Sequence, residues 1–399
     1  MNKVKLGDVM DVKRGTSLSG DHYSTSGDLV RLTLGNFKYP DCGFKLNTTK
    51  KDIYFVGEVK PEYIMKKGDI ITPLTEQVKG LLGNTATIPE SDKYIQSGDV
   101  GKIIPNESMI DKRFSYYLVA SPTVKKQLSA GSQQTKIRHT SPDKIKDCVA
   151  FIPDLFQQKK IAHLLDTINL LIQTNNSAIK QLESMAKTIY DYWFLQFDFP
   201  DENGNSYRAS GGKMVWNDEL KREIPKGWKA VQLGCFADLY QPKTITEKDL
   251  NSNGKYFVYG ANGIIGKYDK FNHQDKEIAI CCRGANCGNY VMTIPNSWIT
   301  GNSMVVSTKN KEFIYYSLSK NVICNYITGS AQPQITRTNL ESAKFLIPNS
   351  EILNEFERVA TTLRSEMETI FYQNQELASL RDFLLPMLMN GQVTFKEKA

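Results

Sequence analysis

Two stretches of this chain place apolar residues at alternating intervals of three and four, the spacing of a helix that buries one stripe. In residues 157–193 the stripe reads Ile161, Leu164, Ile168, Leu171, Ala178, Leu182, Met185, Ile189 and Tyr192. Asn175 occupies an a-type position, as in a coiled-coil seam with one polar layer that fixes register. In residues 351–387 the stripe reads Phe356, Val359, Leu363, Ile370, Leu377, Leu380 and Leu384, with Glu366 and Gln373 interrupting d-type positions. Each helix would be roughly 55 Å long at 1.5 Å per residue. No other apolar surface is large enough to cover both stripes, so they are expected to pack on each other, antiparallel.

The remaining sequence has a different texture. Up to residue 155, short β-branched or aromatic runs such as Leu29–Leu34, Asp69–Thr72 and Val100–Ile104 alternate with Gly, Asn, Pro and Asp, which reads as strands and turns. A helix is expected over Lys112–Ala130, interrupted at Ser121-Pro122. Residues 196–228 are rich in turn formers and hold no period, so a loop-like connector is expected. Residues 229–348 return to strand and turn texture.

The two halves also repeat. Val4-Lys5-Leu6-Gly7 corresponds to Val231-Gln232-Leu233-Gly234. Gly131-Ser132-Gln133-Gln134-Thr135-Lys136-Ile137 corresponds to Gly329-Ser330-Ala331-Gln332-Pro333-Gln334-Ile335. Phe151-Ile152-Pro153 and Leu346-Ile347-Pro348 each precede a long helix. The separation between the copies is far longer than a solenoid period, so this is a duplicated domain, and the second copy is shorter: Gly7 to Gly131 is 124 residues, Gly234 to Gly329 is 95. The expected architecture is therefore α+β: two mixed α/β globules with two long antiparallel coiled-coil helices between them, in a pseudo-two-fold repeat. The boundaries read as globule one over 1–155, a central helical region over 156–195, a connector over 196–228, globule two over 229–348 and a C-terminal helical region over 349–399. The seam is assigned to Ile161, Leu164, Ile168, Leu171, Leu182, Met185, Phe356, Val359, Leu363, Ile370, Leu377 and Leu384.

Composition narrows the function without choosing it. A net charge of +7, with an isoelectric point near 8.8, permits a polyanionic partner but does not require one. No run approaches the length of a membrane span, and the first thirty residues lack a signal-type apolar core. Seven cysteines without framework spacing suggest reduced thiols in a cytoplasm.

Catalytic signatures are missing. Gly260-Ala261-Asn262-Gly263-Ile264-Ile265-Gly266-Lys267 is Gly-rich, but its spacing is not that of a phosphate-binding loop, and Tyr268 stands where a hydroxyl would hold magnesium. No Gly-x-Gly-x-x-Gly follows a strand, no Asn/Asp-Pro-Pro-Tyr/Phe element occurs, and His22, His139, His163 and His273 form no catalytic or metal-binding pattern. Pro200-Asp201 with Glu219-Leu220-Lys221 resembles a metal-dependent nuclease motif, yet lies in the connector rather than on a rigid sheet. Cys281, Cys282 and Cys287, near His273, lack the second ligand pair of a zinc site, and Ile278–Cys282 reads as a buried strand. No catalytic or metal-ligating residue is assigned.

The interiors of the repeats suit nucleic acid. Arg pairs with guanine, and Asn or Gln with adenine, by paired hydrogen bonds in the major groove. The candidate contacts are Lys13, Arg14, Thr16, Gln133, Gln134, Lys136 and Arg138 in the first half. In the second they are Tyr259, Asn262, Arg283, Asn286, Asn302, Gln332, Gln334 and Arg337. Arg31, Asn289 and Tyr290 have the same character. For any one of these an ordinary loop role competes; the doubled Gly-Ser-x-Gln segment favours contact.

With these residues in view, the chain resembles, along nearly its whole length, the DNA-specificity subunit of type I restriction–modification enzymes. The doubled segment carries the resemblance, together with Gln157-Gln158-Lys159-Lys160-Ile161-Ala162, Tyr192-Trp193-Phe194 through Phe197-Asp198-Phe199-Pro200, Lys213-Met214-Val215-Trp216 and Ile224-Pro225-Lys226-Gly227-Trp228. It implies two target-recognition domains reading a bipartite site in double-stranded DNA. It implies assembly with two modification (methyltransferase) subunits and with restriction subunits. S-adenosylmethionine and ATP with magnesium are then cofactors of those partners, not of this chain. Globule one departs at Gln134-Thr135-Lys136, where globule two has Gln332-Pro333-Gln334. Two other readings remain at this point: a DNA-processing enzyme using the Asp201 and Glu219 carboxylates, and a structural adaptor that makes no DNA contact.

Overall fold

The computed structural model describes residues 2–47, 51–76, 78, 80–130, 138–260, 262–318, 320–329 and 332–396. The chain divides into two compact units, Met1–Gln173 with Asn374–Ala399, and Thr174–Gln373. Both boundaries fall inside long helices: the central helix Leu155–Tyr190 and the C-terminal helix Ser350–Met389. Each unit therefore takes one globule and one end of each helix.

In unit 1, strand Asn2–Lys5 runs antiparallel to Val149–Ile152, with Val4 opposite Ala150. A turn over Leu6–Asp8 follows, and Leu6 N–H donates to Cys148 O at 2.9 Å. A four-stranded antiparallel sheet has the order Met10–Arg14, Val100–Pro105, Ile70–Pro73, Ala86–Thr87. A second sheet has the order Tyr23–Ser24, Tyr54–Phe55, Leu29–Arg31, Tyr94–Ile95, its last pair parallel. Helices Lys112–Ala120 and Pro122–Ala130 break at Ser121, where the residue before proline avoids helical angles. Leu6, Ile70, Ile103, Phe114 and Leu165 share one core.

Unit 2 repeats the scheme. Strand Lys229–Gln232 pairs antiparallel with Lys344–Ile347, Val231 opposite Phe345, and Leu233 N–H donates to Ala343 O at 2.8 Å. Its four-stranded sheet has the same order: Asp238–Tyr240, Ser303–Ser307, Ile278–Cys281, Tyr290–Met292. A three-stranded sheet, Gly263–Tyr268, Tyr256–Gly260, Trp298–Ile299, again ends in a parallel pair. The repeated glycine has one cause in both units. A Cβ on Gly7 would stand 3.1 Å from Lys146 Cβ, at the end of helix Pro142–Lys146; one on Gly234 would stand 3.0 Å from Glu341 Cβ, at the end of helix Arg337–Glu341. Those helices are capped alike: Ser141 Oγ accepts from Lys144 N–H, and Thr336 Oγ1 from Asn339 N–H, both at 3.2 Å.

The helix ends pack antiparallel within each unit. In unit 1, Asn169 Oδ1 accepts from Arg381 Nη1 at 3.2 Å, and Gln157 exchanges two hydrogen bonds with the backbone of Phe395 at 2.7 and 2.8 Å. In unit 2, Arg364 Nη1 lies 3.3 Å from Glu183 Oε2, and the Tyr190 and Phe356 rings meet at 5.9 Å. The expected seam needs a correction at every second position. Ile161, Ile168, Phe356 and Ile370 are buried, and Leu182, Leu363, Leu377 and Leu384 are half-buried. Leu171 and Met185, however, are 47 % and 52 % exposed, and Leu380 is exposed too. The inward positions are their neighbours: Leu165 rather than Leu164, Ile172 rather than Leu171, Ala186 rather than Met185, Ala360 rather than Val359. Glu366 and Gln373 are outside the seam, which instead holds Met367 and Asn374. Leu164 and Val359 remain half-buried, and Leu164 packs on the unit 1 core.

The connector also differs from expectation. Met214–Asn217 and Arg222–Pro225 form a hairpin. Phe199 stacks between Tyr207 at 4.6 Å and Trp228 at 5.1 Å, and Phe194, Phe197 and Ile224 join the unit 2 core. Turn formers set the backbone there, but the aromatic residues between them bury enough surface to order it.

Candidate nucleic-acid interface

In unit 1 the candidates gather around the end of strand Met10–Arg14. Lys13 and Arg14 are exposed, and Arg14 Nη2 donates to Thr140 O at 3.2 Å. Thr16 bridges to Ser97, and Thr16 N–H donates to Gln96 O at 3.3 Å. Arg138, half-buried, lies 3.6 Å from the buried Glu76 carboxylate. That ion pair ties the returning segment Arg138–His139 to Thr75–Glu76. Arg31 stacks over the Tyr23 ring at 5.0 Å. Gln133, Gln134 and Lys136 lie outside the described residues.

In unit 2 several loops meet. The Gln332–Gln334 turn closes on itself through two Thr328–Gln334 backbone hydrogen bonds of 2.8 Å. It is pinned to the next loop by Gly284 N–H donating to Pro333 O at 3.0 Å and by a bridge between Arg283 and Gln334. Cys282 N–H donates to Asn302 O at 3.2 Å, and Asn289 Nδ2 donates to Asn262 Oδ1 at 3.2 Å. Arg283, Asn286, Asn302, Asn262, Gln332 and Gln334 are all exposed. The arrangement is a set of polar side chains on backbone held rigid by cross-loop hydrogen bonds, suited to reading donors and acceptors.

Two candidates do not fit as placed. Tyr259 is 3 % exposed, and its hydroxyl accepts from Ile294 N–H at 3.2 Å. Burial pushes its pKa up to about 12. It sits on strand Tyr256–Gly260, where Val258, Tyr259 and Gly260 are all buried, and packs with Ala279, Ile299 and Val305. Arg337 is exposed but engaged with Glu341 at 2.7 Å, one helical turn on.

The enzyme motifs do not assemble. Asp201 Oδ1 accepts from Asn203 and Asn205 N–H at 2.9 and 2.8 Å, closing its own turn, while Glu219 pairs with Lys344 at 2.7 Å. The thiols of Cys281 and Cys282 donate to the carbonyls of Arg283 and Asn302. Burial raises the Cys281 pKa, and burial beside other thiols pushes Cys287 up to about 11. Among the described residues, no three His, Cys, Asp or Glu side chains converge as a metal site would require, and no helix is long and apolar enough to cross a membrane.

A buried charge network holds the unit 2 globule to the helix ends. Arg364 reaches Glu312 at 3.1 Å and Glu183 at 3.3 Å, and Lys276 joins Glu312 and Glu368 at 3.7 and 3.2 Å. Burial disfavours the Arg364 charge, but Glu312, Tyr316 and Glu183 outweigh it and raise its pKa. Glu357 accepts from Phe313 and Glu312 N–H at 2.8 and 3.3 Å. Burial, only partly offset by these bonds, pushes its pKa to about 7.

The sequence candidates omit one structurally equivalent position. Arg14 stands seven residues after Gly7, as the last residue of strand Met10–Arg14, and Gln241 stands seven after Gly234, directly after strand Asp238–Tyr240. The repeat offset alone identifies it.

The model of the type I restriction modification DNA specificity domain matches the chain twice, over residues 1–184 and 225–369. The MjaIX specificity subunit of Methanocaldococcus jannaschii is 24 % identical over 323 residues, covering 74 % of this chain and 72 % of the relative. The HindI specificity subunit of Haemophilus influenzae is 22 % identical over 408 residues, covering 82 % and 87 %. Among solved structures, the S subunit of a type I restriction-modification system from M. genitalium aligns over 100 % of this chain and 96 % of its own. Its TM-score is 0.56 at 15 % identity, a likeness of fold. With one copy of the domain lying mostly in unit 1 and the other within unit 2, the chain belongs to the family of type I restriction–modification DNA specificity subunits.

Proposed function

We propose that this chain is a non-catalytic reader of a bipartite site in double-stranded DNA, each unit contacting one half-site. The helices are the docking platform for two methyltransferase subunits. S-adenosylmethionine belongs to those subunits, and ATP with magnesium to restriction subunits that join them. One observation carries the reading: the same strand arrangement occurs twice, with exposed polar side chains at the corresponding edge of each, at the end of strand Met10–Arg14 in unit 1 and on loops pinned by cross-loop hydrogen bonds in unit 2. The helices add support. Leu170, Leu171 and Met185 on the central helix, and Leu380 and Phe383 on the C-terminal helix, are large apolar side chains left exposed, as a protein interface would have them.

The purified chain, mixed with S-adenosylmethionine and DNA, is expected to transfer no methyl groups. With its modification subunits, it is expected to methylate one bipartite sequence and to shift that DNA in a gel at a fixed salt concentration. Methyl transfer by the chain alone, abolished by Glu219→Ala, would restore the enzyme reading. A complex that forms but shows no preference among DNA sequences would leave the adaptor reading.

A further inference from the structure

Gln241 is the residue of unit 2 whose placement goes beyond the family likeness. An equivalent backbone hydrogen bond helps to hold the returning segment in each unit. Thr140 N–H donates to Leu74 O at 2.8 Å in unit 1, and Ile335 N–H donates to Cys282 O at 3.0 Å in unit 2. The side chain seven positions after the frame glycine reaches that bond both times. Arg14 Nη2 donates to Thr140 O at 3.2 Å. Gln241 Nε2 lies 3.0 Å from Cys282 Sγ and 3.5 Å from Gly301 O.

The orientation of the Gln241 amide follows from its neighbours. The Cys282 thiol proton is directed to Asn302 O at 3.1 Å, so the sulfur meets Gln241 as an acceptor. Gly301 O is an acceptor as well, so the amide nitrogen must face both. Cys282 is fully buried. A Cβ on Gly301 would stand 2.4 Å from Thr244 Oγ1 and 2.7 Å from Pro242 O, so this close approach requires glycine. Gln241 is exposed, its nitrogen is held by protein, and its oxygen remains an acceptor. A side chain already immobilised loses less entropy when it binds. In the major groove, the groups that donate to such an oxygen are the exocyclic amines, N6 of adenine and N4 of cytosine.

We infer that Gln241 is a base-reading residue of the second half-site, its oxygen accepting a hydrogen bond from the amino group of an adenine or cytosine. The inference rests on the reading that unit 2 contacts one half-site. The first step of the test maps methylated sites in cells carrying the parent chain with its modification subunits. The same mapping with Gln241→Ala and Gln241→Leu is expected to show one base pair of one half-site becoming degenerate. Discrimination there should fall about tenfold, with the other half-site and the spacer unchanged. The second step measures binding of the assembled parent complex to duplexes in which each amino-bearing base of that half-site is replaced in turn. Purine replaces adenine and 2-pyrimidinone replaces cytosine. One replacement should weaken the parent about tenfold and leave Gln241→Leu unaffected, and the arm that responds names the base. An unchanged motif in folded variants overturns the inference. If the variants do not fold, a parent indifferent to every replacement overturns it as well. A parent complex that methylates no bipartite site refutes the reading of unit 2 itself, and the inference with it.

Discussion

Arg364 shows how a single residue joins a globule to a helix. Its guanidinium meets Glu312 and Glu183 and stacks over the Tyr315 ring at 4.6 Å. A buried ion pair adds little net stability, because desolvation offsets attraction, but removing one partner strands the other charge. Arg364→Leu is therefore expected to destabilise unit 2 by about 3–5 kcal/mol in urea unfolding, and Glu312→Gln in the same chain should recover part of the loss. A double variant as unstable as the two single losses added together would mean the charges are not coupled. Glu357 gives a pH dependence. Its pKa rises from an ordinary 4.5 to about 7 in the fold, so the folded state favours the neutral acid. Its contribution is full below pH 4.5 and is lost as pH rises through 7. Glu357→Gln keeps the neutral form throughout, so its urea midpoint should fall less than the parent's between those pH values. Equal slopes would place the titration elsewhere. At this scale the sequence was readable only where a residue's neighbours reveal its direction. Tyr259 looked like a loop residue because Gly260-Ala261-Asn262-Gly263 follows it, although its own strand points it into the core. Gln241 has an unremarkable context in sequence, and only the offset from Gly234 marks it.

The helices show what periodicity can and cannot resolve. Both were legible in type and extent, as was their antiparallel pairing. The stripe was misplaced at alternate positions because these lie in pairs of apolar residues: Leu164-Leu165, Leu171-Ile172, Met185-Ala186 and Val359-Ala360. Either member fits a three-four spacing, and the facing helix decides between them. Ile168 and Leu171 make the difference measurable within unit 1. Ile168→Asp puts a charge against the buried face and is expected to cost several kcal/mol, on the order of 3–5, in thermal or urea unfolding. Leu171→Asp replaces a side chain already half in water and should stay within about 0.5 kcal/mol of the parent. If both are equally damaging, the inward face has been misassigned. If Leu171→Asp spares stability but weakens capture of the modification subunit, that exposed face is part of the docking platform. The connector was missed for a different reason. Its turn formers are real, but Phe197, Phe199, Tyr207 and Trp228 lie too irregularly to form a period, and they pack by three-dimensional clustering.

For the whole molecule the governing feature is connectivity. The chain passes between its two compact units at Gln173–Thr174 and at Gln373–Asn374, and both crossings lie within helices. The frame of each unit was legible in the doubled glycine and proline motifs. The interiors were not, because a duplicated frame keeps the residues that position strands while the loops between them differ. In the proposed function, each unit reads its own half-site, so the two helical crossings should set the number of base pairs between half-sites. Seven residues inserted at both crossings would preserve the seam phase, since a heptad repeats the apolar pattern. They would lengthen each helix by about 10 Å at 1.5 Å per residue. At ~3.4 Å per base pair this corresponds to roughly three additional base pairs. Cells carrying the doubly lengthened chain and its modification subunits should methylate sites with the parental half-site sequences and a spacer longer by that amount. A single insertion, in one helix only, should instead destabilise the chain, because the two seams no longer match. Parental spacing in the double insertion would remove the helices as the ruler. Altered bases within a half-site would show that residues reading the DNA lie on the helices and not in the loops at the sheet edges.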